Sequence, residues 1–120
     1  MKLHHVAVQV RDLERARAFY ADVLGLKETR RQAHSIWLDA DGVVVMLELC
    51  SGDVADDAWK SDRPGLHLLA LSMAASERAT WISKLEGAGH AIEAETDYTI
   101  YMRDPDGTRI GLSSYPEKSR

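Results

Sequence analysis

The sequence predicts an α+β protein made of two tandem βαβββ units. Strand-like and helical segments follow each other in the same order in the two halves of the chain. Each half also contains an aromatic-centred strand that enters an Asp-Gly turn: Ile36-Trp37-Leu38 leads to Asp41-Gly42, and Ile100-Tyr101-Met102 leads to Asp106-Gly107. Two repeated units explain this order better than one continuous sheet, and a period of half the chain is too long for a solenoid. The alternative is a generic α+β domain whose halves match by chance.

The first unit, about residues 1–52, begins with a half-buried strand. Alternation over Leu3–Val10 places three valines on one face and a small, partly polar set of residues on the other. Asp12 is suited to cap a helix over residues 13–23, where apolar residues recur at helical spacing. Gly25 is expected to end this helix, because glycine adopts the left-handed conformation at low cost.

Three more strands are predicted to complete the first unit. The charged segment Lys27–Gln32 suits a strand at a sheet edge, and Ser35–Asp39 forms the next strand. Asp41-Gly42 is typical of a hairpin turn. The turn leads into the long apolar strand Val43–Cys50.

A polar stretch at about residues 53–64 is predicted to link the two units. The second unit, about residues 65–116, starts with the apolar strand Leu66–Met73, and Ser76 is suited to cap the helix that follows. That helix is expected to end near Gly87. Short strands are predicted at Ala91–Glu95, Tyr98–Met102 and Thr108–Ser114.

Composition and charge restrict the class of protein. The 120 residues suit one compact domain or two very small modules that share a core, and an apolar fraction of 45% is ordinary for a globular protein. A net charge of −4 without a basic arm argues against nucleic-acid binding. No apolar run is long enough to span a bilayer, so no membrane partner is expected. Cys50 is the only cysteine, which excludes an internal disulfide and predicts a reducing, cytoplasmic location.

Three short motifs occur in order along the chain. They are His5-Val6-Ala7-Val8-Gln9-Val10-Arg11-Asp12-Leu13 with Ala18-Phe19-Tyr20, then Gly65-Leu66-His67-Leu68, and last Met102-Arg103-Asp104-Pro105-Asp106-Gly107. In this order and spacing they resemble the vicinal-oxygen-chelate superfamily, the glyoxalase, bleomycin-resistance and dioxygenase group. The resemblance implies a single domain whose two units curl eight strands into a half-barrel around a cleft that takes a small-molecule ligand. It also implies a homodimer, and exposed sheet edges would favour such pairing.

The resemblance further implies a set of metal ligands. In the metal-dependent members, four strands each supply one ligand to a divalent ion, and His5, Glu48 and His67 match the first three positions. The fourth position usually holds a glutamate, but this chain has Gly111 there, with the hydroxyl of Ser113 on the same face. Two imidazoles and one carboxylate still suit iron, manganese, nickel, cobalt or zinc, and Glu48 is then the candidate catalytic residue. The glycine leaves open a protein without a metal.

Each candidate ligand also has an ordinary structural interpretation. His5 could be a polar residue on an open strand face, and since adjacent strand residues point opposite ways, only one of His4 and His5 could be a ligand. His67 could be a hydrogen-bonded core histidine. Glu48 is the most informative, because a carboxylate in an apolar strand is costly to bury without a partner. An exposed position or a pairing with Arg109 would satisfy it equally.

Aromatic side chains suggest a second kind of site. Trp37, Trp59 and Tyr101 are candidates for lining a cleft that takes a planar ligand. Because Trp37 and Tyr101 hold equivalent places in the two units, core packing is the competing role for both. Trp59 lies in the predicted linker and is the best candidate for a contact at the cleft edge.

Two functions of different classes follow. The first is a glyoxalase-like, metal-dependent enzyme of lyase, isomerase or dioxygenase type that acts on a small oxygenated substrate by Lewis-acid chelation. The alternative is a metal-free small-molecule-binding protein of the bleomycin-resistance type. The joint presence of His5, Glu48 and His67 favours the enzyme, whereas Gly111 favours the binding protein. A ligand-sensing or protective protein without catalysis is the third interpretation.

Overall fold

The computed structural model of the chain describes residues 1–50 and 64–120. The chain divides into two compact units, Met1–Asp56 and Asp57–Arg120, and each has one four-stranded sheet and helical segments. These units confirm the prediction of an α+β protein with two tandem βαβββ modules. The predicted linker lies outside the described residues, apart from Pro64.

The first unit follows the order strand, helix and three strands. Strand β1 spans His5–Val10 and helix α1 spans Leu13–Arg17, while β2, β3 and β4 span Lys27–Gln32, Ser35–Ala40 and Val43–Leu49. The sheet order is β1-β4-β3-β2, with β1 parallel to β4 and the other neighbours antiparallel. The strands occur where the alternation predicts them, and the charged β2 lies at the sheet edge, where charge discourages pairing with another chain.

The helix of the first unit changes its geometry halfway. Asp12 accepts a hydrogen bond from the backbone N–H of Arg15 at 3.0 Å, which confirms the predicted cap. After α1 the chain continues as a π-helical turn over Ala18–Val23, so the predicted helix is present but widens in its second half. Phe19 and Tyr20 are both buried, with their rings edge to face at 5.0 Å. A π turn is wider than an α turn and accommodates two consecutive large side chains on the buried side.

The second unit repeats this order. Strand β5 spans Leu69–Ser72 and helix α2 spans Arg78–Gly87, while β6, β7 and β8 span Ala94–Glu95, Thr99–Arg103 and Arg109–Ser113. The sheet order is β5-β8-β7-β6, with β5 parallel to β8. No helix within residues 1–50 and 64–120 is long and apolar enough to cross a membrane.

The first strand of the second unit is shorter than predicted. It begins at Leu69 rather than Leu66, because its ladder with β8 starts at the pair Leu69 and Ile110. Leu66 is exposed. His67 therefore precedes the strand instead of lying within it.

The start of α2 also differs from the prediction. Ser76 lies inside a 3-10 turn over Ala75–Glu77 and does not cap the helix. Instead, the Glu77 carboxylate accepts a hydrogen bond from the backbone N–H of Ala74 at 3.3 Å. A glutamate that reaches back in this way satisfies a backbone donor at the start of the turn.

Each sheet has one buried face. In the first unit the buried apolar strand residues are Val8, Val10, Ile36, Leu38, Val45 and Leu47, and in the second they are Ile100, Met102, Ile110 and Leu112. Side chains alternate along a strand, so the residues between these lie on the opposite face, called the non-core face below. All the predicted site residues that fall within strands lie on a non-core face.

Candidate functional site

His5 and Glu48 lie on the same non-core face in the first unit. Both side chains are exposed. In the parallel ladder His5 pairs with Val44, and Glu48 pairs with Gln9, so the two candidates stand four ladder positions apart. At the usual rise of a strand this offset is about 13 Å between their Cα levels. Because Glu48 is exposed, water solvates its carboxylate, and neither a metal nor a cationic partner is needed to offset burial.

The first histidine has an unexpected neighbour. The Nδ1 atoms of His4 and His5 are 2.9 Å apart, and the two rings meet edge to face at 5.2 Å. The expectation that these two side chains point opposite ways is wrong. The reason is that His4 precedes β1, so strand alternation does not govern its side chain.

His67 is exposed and contacts a cation in the second unit. Its Nε2 atom lies 3.1 Å from Nη1 of Arg109. Since a guanidinium only donates, the imidazole nitrogen accepts. A metal at this nitrogen would have to displace Arg109, whose charge also repels a cation. The geometry at His67 therefore does not favour a metal at Nε2.

The ladder registers also separate His67 from the position that matches His5. Trp37 pairs with Met46, which pairs with Ala7, in the first sheet. In the second sheet Tyr101 pairs with Gly111, which pairs with Ala70. When the two units are aligned on these aromatic residues, Ala7 corresponds to Ala70. His5 then corresponds to residue 68, which is a leucine, and His67 lies one residue away.

Gly111 is closely surrounded on its non-core side. A Cβ atom at this position would lie 3.3 Å from Cγ2 of Thr99, 3.4 Å from Cδ1 of Leu68 and 3.6 Å from Cδ1 of Tyr101. The Ser113 hydroxyl accepts a hydrogen bond from Thr99 Oγ1 at 2.9 Å. Neighbouring side chains therefore close over the place where the superfamily usually has its fourth ligand.

Across residues 1–50 and 64–120, no group of three or more His, Cys, Asp and Glu side chains is arranged to hold a metal ion. His5 and Glu48 belong to the first unit and His67 belongs to the second. The ligand set His5, Glu48 and His67 therefore stays a prediction.

The second unit gathers a set of charged side chains that the sequence reasoning missed. Arg103 and Arg109 are directly opposed in the β7–β8 ladder. The Glu93 carboxylate bridges them, since its Oε2 lies 2.9 Å from Nε of Arg103 and its Oε1 lies 3.2 Å from Nε of Arg109. The Arg109 guanidinium lies 4.4 Å from the ring centroid of Tyr101. We call these four residues, together with His67, the arginine cluster.

The charge state of Glu93 follows from its neighbours. The hydrogen bond from Arg103 lowers the pKa of the Glu93 carboxyl below its ordinary value, and the charges of both guanidiniums act in the same direction. Glu93 is therefore a carboxylate at neutral pH. Within the arginine cluster, the two guanidiniums and the one carboxylate sum to one positive charge.

One signal in the sequence could have indicated this cluster. Arg103 and Arg109 flank the Asp-Pro-Asp-Gly turn, which closes a hairpin and brings its flanking residues opposite each other. Like charges directly opposed in a ladder are unfavourable unless an opposite charge lies between them. The identity of that charge, Glu93, depends on how β6 meets β7 and could not be inferred locally.

The predicted cleft aromatics are only partly described. Trp37 and Tyr101 alternate with buried residues, so both lie half-buried on the non-core faces of their sheets. The Arg30 guanidinium lies 5.1 Å from the Trp37 ring centroid. The Nε1 atom of Trp37 is buried and has no hydrogen-bond partner in the described part of the chain, so a bound acceptor would satisfy it. Trp59 lies outside the described residues.

Tandem βαβββ units define a class of proteins, and the comparisons with known proteins place the chain within it. The family model of the Glyoxalase/Bleomycin resistance protein/Dioxygenase superfamily matches residues 2–112. The chain belongs to this superfamily. No curated protein matches it in sequence.

Solved structures share the fold. A glyoxalase/dioxygenase from Nostoc punctiforme is 21% identical with a TM-score of 0.82, covering 97% of this chain and 92% of that chain. A lactoylglutathione lyase from Agrobacterium tumefaciens is 20% identical with a TM-score of 0.72, covering 92% of this chain and 91% of that chain. A glyoxylase/bleomycin resistance protein/dioxygenase domain from a Frankia species is 24% identical with a TM-score of 0.75, covering 94% and 96%. At these identities the likeness shows the fold alone.

Proposed function

We propose that the chain is a glyoxalase-like small-molecule-binding protein that takes an oxygenated ligand without a resident metal, as in the bleomycin-resistance type. The observation that carries this proposal is the 3.1 Å contact between Nε2 of His67 and the guanidinium of Arg109. A fixed positive charge at a candidate ligand disfavours a divalent cation and favours the oxygen atoms of an anionic or polar ligand.

The position of Gly111 supports the same proposal. Metal-dependent relatives usually supply a carboxylate there, whereas this chain supplies no side chain, and Thr99, Leu68 and Tyr101 close over the glycine. Losing one carboxylate ligand removes both affinity and charge balance at a divalent ion. We expect the protein to be a cytoplasmic homodimer. Its function would be to bind the ligand rather than to convert it.

A metal-dependent glyoxalase-type enzyme is the second candidate, and one observation favours it. His5 and Glu48 both lie exposed on the non-core face of the first sheet, as ligands would. When bound by His5, Glu48 and His67, a divalent metal such as nickel, zinc, manganese, iron or cobalt would polarise the oxygens of a small substrate. His67 would first have to give up its contact with Arg109.

Metal content separates the two candidates. The chain is purified without a histidine tag, its bound metals are measured, and its melting temperature is recorded with EDTA and with added nickel, zinc, manganese or iron. The proposal expects no stoichiometric metal and no rise in melting temperature. A resident site at a hundredfold excess over Kd would instead add about 2.7 kcal/mol, or roughly 10 °C for a chain of this length.

Three variants identify the source of any metal effect. His4→Ala removes one of the exposed, adjacent imidazoles, so a weak effect lost in that variant belongs to the His4–His5 pair alone. Stoichiometric metal with a rise in melting temperature that disappears in both Glu48→Gln and His67→Ala would overturn the metal-free proposal. His90→Ala, which changes a histidine outside the predicted ligand set, is the matched control.

A further inference from the structure

We propose that the arginine cluster of the second unit is a binding site for a small monoanionic carboxylate attached to a planar, apolar body. This inference rests on the proposed metal-free function and names its ligand class. In this site the guanidinium of Arg109 supplies the positive charge that metal-dependent relatives obtain from an ion.

The Arg109 guanidinium is held in place before any ligand arrives. Its Nε donates to Glu93 at 3.2 Å, its Nη1 contacts His67 at 3.1 Å, and its Cζ lies over the Tyr101 ring, 4.4 Å from the centroid. In the described part of the chain these contacts use Nε and Nη1, so Nη2 keeps its donors for a ligand. About a fifth of the side chain is accessible, at 20%. A fixed guanidinium loses little freedom on binding, which strengthens recognition of a carboxylate.

The excess charge selects a monoanion. Arg103 and Arg109 carry two positive charges, and Glu93 cancels one of them. A single carboxylate brings the cluster to neutrality, whereas a dianion would leave it with a net negative charge. A cation would be repelled by both guanidiniums.

The surface next to the guanidinium is apolar. Leu68, Thr99 and Tyr101 approach the Gly111 backbone so closely that a Cβ atom there would lie within 3.3 to 3.6 Å of all three. Gly111 itself is buried beneath these side chains, and the neighbouring Ala70 is small and exposed. A planar apolar group attached to the carboxylate would cover this surface while its oxygens face Arg109.

Binding of benzoate tests the proposal directly. Backbone and arginine Nε–H signals of the nitrogen-15-labelled full chain are followed during titrations with benzoate, benzamide and phenyl phosphate. Benzamide has the shape of benzoate without its charge, and phenyl phosphate adds a second negative charge. We expect saturable benzoate shifts at Arg109 and around Gly111, with weaker binding of the other two compounds.

Matched variants assign the contact. Arg109→Gln should weaken benzoate binding on the order of tenfold or more, as loss of a charge-assisted contact does. Arg30→Gln removes the guanidinium over Trp37 in the other unit and should leave the affinity unchanged. Equal binding of benzamide, or benzoate binding that Arg109→Gln does not weaken, would overturn the proposal. If Arg109→Gln does not fold, the test is the Nε–H signal of Arg109 in the wild type. The proposal is then overturned if benzoate does not shift that signal.

The two proposals fail in different ways. Titrations are run once in EDTA and once with nickel. Benzoate binding that requires nickel would contradict the metal-free function as well as the carboxylate site. Absence of benzoate binding in a metal-free, folded protein would overturn only the carboxylate site.

Discussion

Glu93 lies between two guanidiniums that oppose each other across the β7–β8 hairpin, and its ionisation links the fold to pH. The hydrogen bond from Arg103, together with both positive charges, lowers the pKa of Glu93 from its ordinary value of 4.5. A carboxyl whose pKa is lower in the folded state stabilises that state above the unfolded pKa. This stabilisation is lost as pH falls through the folded pKa.

Substituting Glu93 by glutamine tests this link. At pH 7, Glu93→Gln should lower the free energy of unfolding by about 0.2 to 1 kcal/mol, because the bridge is partly exposed to solvent. Well below pH 4.5 the wild type and the variant should become equally stable, since Glu93 is then protonated in both states. Urea denaturation at the two pH values gives the comparison, with Glu86→Gln, an exposed carboxylate on α2, as control. A difference that persists unchanged in acid would show that the charge of Glu93 is not responsible.

Prediction from sequence failed at Arg109 for a physical reason. Its partners, His67 and Glu93, are distant in sequence and meet it only after β5, β6 and β8 have assembled. Sequence reasoning paired Arg109 with Glu48 as one option, whereas the described contacts pair it with Glu93. Glycine positions were easier to predict: Gly25 and Gly42 adopt positive φ because their turns require it.

Among the structural elements, the β7–β8 hairpin carries a packing constraint at Gly111. The Thr99 hydroxyl donates to Ser113, which fixes the Thr99 side chain with its methyl group 3.3 Å from where a Cβ on residue 111 would lie. A methyl group that cannot rotate away makes overpacking costly.

A double-mutant cycle measures this constraint. Gly111→Ala should destabilise the protein by about 1 kcal/mol, because the new methyl group meets the fixed one on Thr99. In a Thr99→Ser background, which keeps the hydroxyl but removes the methyl group, the same substitution should be close to neutral. Urea denaturation of the four proteins gives the coupling energy. An identical cost in both backgrounds would contradict the proposed clash.

Elements set by local chemistry were predicted closely, and those set by distant partners were not. Strand β2, the Asp12 cap and the Asp41-Gly42 turn follow from short-range patterns and are confirmed. The apolar run at Leu66–Met73 predicted a longer β5, but a strand extends only as far as its ladder partner. The π-helical turn at Ala18–Val23 depends on burying two adjacent aromatic rings, a demand that helical spacing does not reveal.

At the scale of the whole molecule, the two units have similar buried core residues but different residues on their non-core faces. Ile36 and Leu38 correspond to Ile100 and Met102, and all four are fully buried. On the non-core faces, Trp37 pairs with Met46 in the first sheet, whereas its counterpart Tyr101 pairs with Gly111 in the second. Repetition in the sequence could therefore predict the scaffold, while the site residues differ between units and had to be located in three dimensions.

The expected homodimer is a prediction about the whole molecule. Sedimentation should give a species of twice the chain mass of 13.4 kDa at micromolar concentration. The physical reason is that small sheets with exposed edges are stabilised by pairing or cover. Dilution serves as the control, because a true dimer dissociates by mass action. A 13.4 kDa species at every concentration would contradict the prediction.

His67 lies one residue away from the ladder position that corresponds to His5, so few substitutions separate this sequence from the ligand pattern of metal-using relatives. Exchanging residues 67 and 68, placing an acid at 111 with a smaller residue at 99, and removing the guanidinium at 109 would rebuild the ligand pattern of metal-using relatives. These few substitutions lie on or next to neighbouring strands, and none changes an apolar core residue. We expect that directed evolution toward metal binding could begin from this chain without redesigning the scaffold.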